Sequence, residues 1–441
     1  MAVNFTPEQQ RVIDLRGCNI LVSAAAGSGK TAVLVERIIQ MVCNEEKPVD
    51  IDRLLIVTFT NAAAAEMRER IAAGIARKLS ENPESAHIQK QSTLLHNAQI
   101  TTIDSFCLFL LRNHFNEIGL DPAFRIADEG EVKLLQQDVM QQLLEDSFAS
   151  GSEEFRYCVE YFCPGGKESV LEKYILKLSN DAASHPWPVE WLEARKSDYQ
   201  ASTVEELCDS DYGRFLMAHL RSMLEGCVEK LDKVRRICEQ PDGPYMYGEL
   251  IDNELEQLEK LLSCEALTDY EVKLPAIVFK TLPSKKDESV SPAKREIAKN
   301  LRAEVKESLK KMNERFFSTP LELAARQSAA CQGPVSTLID LVLEFDRRMQ
   351  AAKQEKKIID FSDMEHFALE ILLEKVPVQA GGDAAETEVL PSRSFTVRPS
   401  SVALEYRQHF AEILIDEYQD SNLVQEYLLK AVSGEDEGNF N

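Results

Sequence analysis

Eight residues, Ala24-Ala25-Ala26-Gly27-Ser28-Gly29-Lys30-Thr31, carry the clearest chemistry in this sequence. A short apolar run, CNILVS at 18–23, precedes them, and Leu34, Ile38 and Val42 follow at helical spacing. Glycines allow backbone N–H groups to turn inward around phosphate oxygens, and a helix start adds partial positive charge. Lys30 supplies a point charge for the β- and γ-phosphates, and the Thr31 hydroxyl can ligate Mg²⁺. Such loops usually open on Gly, and here Ala24 takes that place. A Gly-rich turn with a stray lysine is the plainer alternative, but it leaves the strand before and the helix after unexplained. Far downstream, Asp416-Glu417 close the apolar run Ile413–Ile415. At the carboxyl edge of an open parallel sheet, one carboxylate can hold Mg²⁺ and its neighbour can orient or deprotonate a water. An isolated Asp-Glu pair is more often a helix cap or a solvated turn; the glycine loop upstream reverses that weighing.

These groups need a scaffold that brings residue 31 to residue 416. Residues 53–59, RLLIVTF, read as a buried strand, and Met67, Ile71, Ile75 and Leu79 mark a strong helix after it. QITTI at 99–103 reads as a third strand, with a helix over 105–116. Apolar strands that alternate with helices imply an α/β domain with a parallel sheet covered on both faces. Beyond about 125 the texture changes to long charged segments with leucines at helical spacing, over 128–148, 153–180, 203–238, 248–265 and 294–316. This predicts an all-helical inserted domain. Residues 282–293 and 376–401 read as mobile loops. Between the insertion and the second loop, DFSDMEHFALEILL predicts a helix with a Ser362/Glu365 capping box and an apolar stripe of Met364, Phe367, Ala368 and Ile371. The expected domains are 1–125, the insertion 126–350, and a return to the first domain over 351–441.

Composition bounds the function. Against 50 Lys and Arg stand 74 Asp and Glu, a net charge of −24, which excludes a simple basic coat for nucleic acid. Only −1 of that charge falls in 1–125, so a local DNA track remains open in the front segment. The N-terminus carries no secretory signal, and no apolar run is long enough to span a membrane. None of the ten cysteines forms a Cys-x-x-Cys pair, which predicts reduced, mostly buried thiols in a cytoplasmic protein with no zinc or iron–sulfur site.

The blocks FTPEQQ, AAAGSGKT, TFTNAAAAEMRERI and LIDEYQD resemble, in order and spacing, those of superfamily 1A DNA helicases of the UvrD/Rep type. TTIDSFC resembles the family's T-x-H-S-F block. FRIADEGE, PVEWLE and IIDFSDMEHFALEIL look most like the A subunit of AddAB-type helicase–nucleases. The resemblance implies a RecA-like ATPase domain that uses ATP and Mg²⁺. It gives Gln9 the role of reading adenine, although Thr6-Pro7-Glu8-Gln9 is equally a helix capping box. Ala26, Gly27, Ser28, Gly29, Lys30 and Thr31 would cradle phosphates; Lys30 and Glu417 would be catalytic; Thr31 and Asp416 would hold Mg²⁺. Phe59, Thr60, Asn61, Ser105 and Phe106 would meet single-stranded DNA, with Phe59 otherwise the last core residue of its strand.

The implied activity is ATP-driven translocation and unwinding of DNA in recombinational double-strand-break repair, beside a second helicase–nuclease subunit. Three positions depart from the family pattern: Ala32 replaces an Arg that stacks on adenine, Ala62 replaces a Lys, and Asp104 replaces the His of the second DNA block. The chain ends at Asn441, about twenty residues after Asp416-Glu417, which predicts an N-terminal fragment lacking a second motor lobe and a nuclease domain, hence weak or inactive alone. Two other readings compete: a P-loop ATPase or kinase unrelated to DNA, and a non-catalytic module that binds ATP or a partner.

Overall fold

The computed structural model describes residues 5–25, 27–284, 287–377 and 395–434. They form two compact units, one of Met1–Ser150, Ser169–Leu192 and Leu341–Asn441, the other of Gly151–Glu168 and Glu193–Asp340. The described structure is mostly helical, with small sheets.

The first unit is built on a three-stranded parallel sheet. Leu54–Thr58 lies at its centre, flanked by Gln99–Thr102 and Glu412–Ile415. The central strand is buried along its whole length because both faces are covered. Side chains alternate across it. Leu54 and Ile56 join Ile38, Ile39, Met67, Ile71 and Ile75 from the helices Lys30–Val42 and Asn61–Glu81. Leu55 and Val57 join Phe106, Leu110, Met364, Ala368 and Leu428 on the opposite face. The two helices of the first face approach closely at Gly74, where an added Cβ would lie 2.1 Å from Ile39 Cδ1. A two-residue parallel pairing of Arg125–Ile126 with Ile358–Ile359 ties together the chain leaving this part of the unit and the chain re-entering it.

The second unit contains helices and no strand among its described residues. Its core gathers around the 28-residue helix Asp211–Cys238, whose Leu216, Leu220, Leu224, Leu231 and Val234 are buried. Gly248–Leu262 contributes Ile251, Leu255 and Leu258, and Pro292–Phe316 contributes Val305, Leu309 and Met312. Buried Glu254 of the first of these helices takes a two-nitrogen bond from Arg302 of the second.

Several expectations need correction. Residues 18–23 form no strand: none pairs with the sheet, and Leu21 is 81% exposed. Apolar character alone does not make a strand, because its backbone groups also need ladder partners. The helix-favouring segment 153–180 holds two helices, Glu153–Phe162 and Glu168–Ala183, separated at Pro164-Gly165-Gly166. A 36-residue helix, Leu321–Lys356, runs through Pro334, which the sequence did not suggest. The loop expected over 282–293 is already helical at Pro292, with proline in the first turn. Of 376–401, the flanks Leu373–Pro377 and Phe395–Pro399 pair as an antiparallel ribbon and a helix starts at Ser401, while 378–394 lie outside the described residues. The capping box of Phe361–Leu372 is made by Asp360 and Asp363 instead of Ser362 and Glu365.

Candidate functional site

The helix Pro7–Asp14 starts on a capping box in which Thr6 and Gln9 bond each other's backbone N–H. Gln9 uses its amide at both ends. Its Oε1 accepts from Thr6 N at 2.9 Å, and its Nε2 donates to the Ser28 carbonyl at 3.0 Å. Capping and contact with the glycine loop are therefore one arrangement, and the cap fixes the rotamer that reaches the loop.

The loop itself turns through two left-handed residues, Gly27 (φ 77°) and Gly29 (φ 84°). Gly29 is the N-cap of Lys30–Val42 and offers no side chain to the helix start. By helix geometry the first N–H groups then have no intrahelical partner, the arrangement that receives an anion. The Lys30 ammonium folds back to the Ala24 carbonyl at 3.0 Å. The Thr31 hydroxyl donates to Asp416 Oδ2 at 3.3 Å, across 385 residues of sequence. Ala26 lies outside the described residues.

Asp416 extends the ladder by one bond, from its N–H to the Val57 carbonyl at 2.9 Å. The next residue leaves strand geometry: Glu417 is left-handed (φ 58°), one of two non-glycine residues with positive φ among those described. Such a conformation costs about 1–2 kcal/mol without glycine, so the turn is held by its surroundings. Its exposed carboxylate accepts from the Gln419 side-chain amide.

Two residues that pattern reading missed hold these parts. Arg37 is 5% exposed. Its Nε donates to Glu412 at 2.6 Å, and its Nη1 to the Val12 and Leu15 carbonyls, each at 2.6 Å. The available signal was spacing: Arg37 shares a helix face with Val33 and Met41, so it is a cation inside an apolar stripe. Arg68, on Asn61–Glu81, donates to the Leu95, Ala98 and Ile100 carbonyls and so fixes the chain entering the Gln99–Thr102 strand.

That strand leads to the second group of expected residues. Thr58 pairs in register with Thr102, so the chain after each emerges at one sheet edge. Phe59 is 62% exposed and so is no core residue of its strand. Thr60 caps the helix that opens with exposed Asn61, accepting from Ala63 N at 3.1 Å. Ser105 is exposed, its hydroxyl 2.9 Å from that of the helix cap Thr102. Phe106 corrects the expectation of a DNA contact. It is fully buried among Phe109, Tyr406 and Phe410, with ring centroids 6.2–6.4 Å away, and has no face left for a base. Asp104 is half-buried; desolvation, with the nearby charge of Glu365, raises its carboxyl above the usual range. Glu365 in turn accepts from Gln425 Nε2 at 2.6 Å and Asn422 Nδ2 at 3.3 Å, just past the Asp416-Glu417 turn.

A glycine turn feeding a helix at the carboxyl edge of a parallel sheet, with a hydroxyl against a carboxylate, has the construction of a phosphate-binding α/β domain. A family model for the UvrD/REP helicase N-terminal domain matches residues 5–440, and the chain belongs to that family. It is 42% identical over 435 residues to the A subunit of the ATP-dependent helicase/nuclease of Lachnoclostridium phytofermentans, covering 98% of this chain and 30% of that protein. The corresponding A subunits of Clostridium perfringens and Anoxybacillus flavithermus are 40% and 39% identical over 447 and 441 residues, 100% and 99% of this chain and 34% and 35% of theirs. The chain thus spans about a third of the length of these relatives. No described helix is long and apolar enough to cross a membrane. All ten cysteines are free thiols.

Proposed function

We propose that this chain is the ATP-binding motor region of a DNA helicase–nuclease A subunit. Its first unit would be a RecA-like lobe, with the helical unit as an insertion. The observation that carries the reading is the Thr31 hydroxyl 3.3 Å from Asp416 at the mouth of a two-glycine turn. Lys30 binds the outer phosphates, and the N–H groups of the helix start hold the rest of the phosphate chain. Gln9, bonded to the Ser28 carbonyl of the loop, would read the adenine edge.

A hydroxyl and a carboxylate facing each other are hard oxygen donors that fit Mg²⁺, which takes one or two protein ligands and completes its shell with water and phosphate. Thr31 and Asp416 would hold it. The bound ion would neutralise charge on the phosphates. Glu417 would orient and deprotonate the attacking water, and its left-handed turn sets it apart from the Asp416 ligand position. Phe59, Thr60, Asn61 and Ser105 would form the single-strand contact, the Phe59 ring accepting any base by stacking.

The relatives' names support a role beside a second helicase–nuclease subunit. Translocation, unwinding, repair of double-strand breaks by recombination and a cytoplasmic location complete the reading. Nucleotide binding and hydrolysis by this region within an A subunit of the relatives' full length, measured with and without single-stranded DNA, test it. Stimulation of hydrolysis by DNA supports the motor. Hydrolysis indifferent to DNA would instead favour an unrelated ATPase, and binding without turnover a non-catalytic module.

A further inference from the structure

We infer that Arg37 is a positioning residue that fixes the metal-holding and base-reading parts of the candidate nucleotide site relative to the glycine loop. The inference deepens the reading above and rests on it. Arg37 lies two helical turns beyond Lys30, roughly 10 Å along the axis. Glu412 begins the strand whose end carries Asp416, roughly 13 Å away along the strand. Helix and strand are therefore tied at two levels, by Thr31 to Asp416 at the loop and by Arg37 to Glu412 at the far end. The ladder to Leu54–Thr58 already holds the strand, so the Arg37 tie acts on the loop helix: with two contacts that helix cannot pivot on the strand, and the spacing of the Thr31 hydroxyl from the Asp416 carboxylate is set.

The same guanidinium reaches the third part. Val12 lies in the last turn of Pro7–Asp14 and Leu15 is its C-cap. Their carbonyls belong to the end of the helix that lacks internal donors. Arg37 supplies that donor from a buried position, so the helix bearing Gln9 is anchored to the loop helix at its far end as well as by Gln9 to Ser28. Arg16 donates to the Ile13 and Leu15 carbonyls beside it. Arg16 bonds only the helix end, and Glu412 of the strand acts on it through charge without a hydrogen bond. A planar fork can serve two directions at once; an ammonium is a point charge without that fixed geometry.

The test uses the full 441-residue chain and fluorescent ATP and GTP analogues, titrated with Mg²⁺. Arg37→Lys keeps the charge and loses the fork. It should raise the Mg²⁺ concentration needed for nucleotide binding by up to about 10-fold, the lower end of what losing a direct partner of a metal ligand costs, because Arg37 bonds Glu412 and neither ligand itself. It should also lower the preference for the adenine over the guanine nucleotide. Glu412→Ala removes only the strand tie, so it should raise the Mg²⁺ requirement and leave base preference intact. A purely structural arginine would lower the melting temperature while the folded protein kept both properties. Folded Arg37→Lys with unchanged Mg²⁺ requirement and base preference overturns the inference. Should Arg37→Lys not fold, an unchanged Mg²⁺ requirement in Glu412→Ala overturns it instead. A wild-type chain that binds neither nucleotide defeats the functional reading, and this inference with it; wild-type binding with unaltered variants defeats this inference alone.

Discussion

Replacing Gly74 by alanine sets two effects of similar size against each other. In a helix interior, alanine is favoured over glycine by about 1 kcal/mol. At Gly74 the new methyl would lie 2.1 Å from Ile39 Cδ1 and 2.7 Å from its Cγ1. Carbon atoms in good contact sit about 3.5–4.0 Å apart, so well over an ångström must be found. Ile39 is only 2% exposed and has core neighbours in place of free space. Overpacking of this kind costs about 1–3 kcal/mol. The net expectation is a loss of up to about 2 kcal/mol, the difference of those two ranges. Gly226, also within a helix, has nothing within 4 Å of its added Cβ. Gly226→Ala should therefore raise stability by about 1 kcal/mol and serves as the control. Urea unfolding of both variants, and of Gly74→Ala with Ile39→Ala, separates the terms. The double variant should lose less than the sum of the single changes, because the clash disappears with the side chain. Stabilisation by Gly74→Ala equal to that of Gly226→Ala would refute the close approach of these two helices.

In a protein of the relatives' full length, Lys30→Ala should abolish nucleotide turnover and weaken nucleotide binding, read by titration of a fluorescent analogue; unchanged binding would remove the lysine from the site. In the same full-length protein, Glu417→Gln should retain binding and stop hydrolysis, since shape is kept and the water-activating charge is lost; turnover near wild type would exclude the assigned base. Phe59→Ala should weaken single-strand binding by about 1–3 kcal/mol, measured by anisotropy, with no comparable loss of stability because the ring is already exposed. Asp104 has a carboxyl raised by desolvation and then by Glu365. The folded state thus holds its proton more tightly than the unfolded state, and the stability this gives is lost as pH rises through the raised value. Asp104→Asn should be more stable than wild type at neutral pH, and the gap should close in melts run below the ordinary carboxylate range. A gap independent of pH would show that the charge is not the cause.

Much of the site was legible because its residues act where they stand in sequence. Glycines at 27 and 29 before Lys-Thr allow the left-handed turn seen there, and Thr6-Pro7-Glu8-Gln9 has the composition of the cap it forms. The central strand declared itself by an unbroken apolar run, since both its faces are covered. What failed depended on partners. Residues 18–23 have strand-like composition but no ladder. Phe106 sits in a DNA-like block, yet its burial is decided by Tyr406 and Phe410, about three hundred residues away in sequence. Arg37 and Arg68 were passed over because an arginine on a helix is usually a solvated face. Both instead direct their donors to backbone carbonyls. The capping box at Asp360 was misplaced by two residues because Asp and Ser are both good caps, and packing chooses between them.

The joining of Thr31 to Asp416 across 385 residues also sets an order of events during synthesis. At roughly 5–20 residues per second, the loop and the central strand leave the ribosome about 20–80 s before the strand that completes them. Through that interval one edge of Leu54–Thr58 lacks the neighbour it will have in Glu412–Ile415. An apolar strand with an open edge invites pairing with other chains. The helical unit is translated in the meantime and has a core of its own that needs nothing from the sheet. It can fold while the first unit waits, so a nascent chain would pass through a state with a finished helical body and an unfinished sheet. That state is where a chaperone would bind, and slow translation between the two halves would lengthen its exposure.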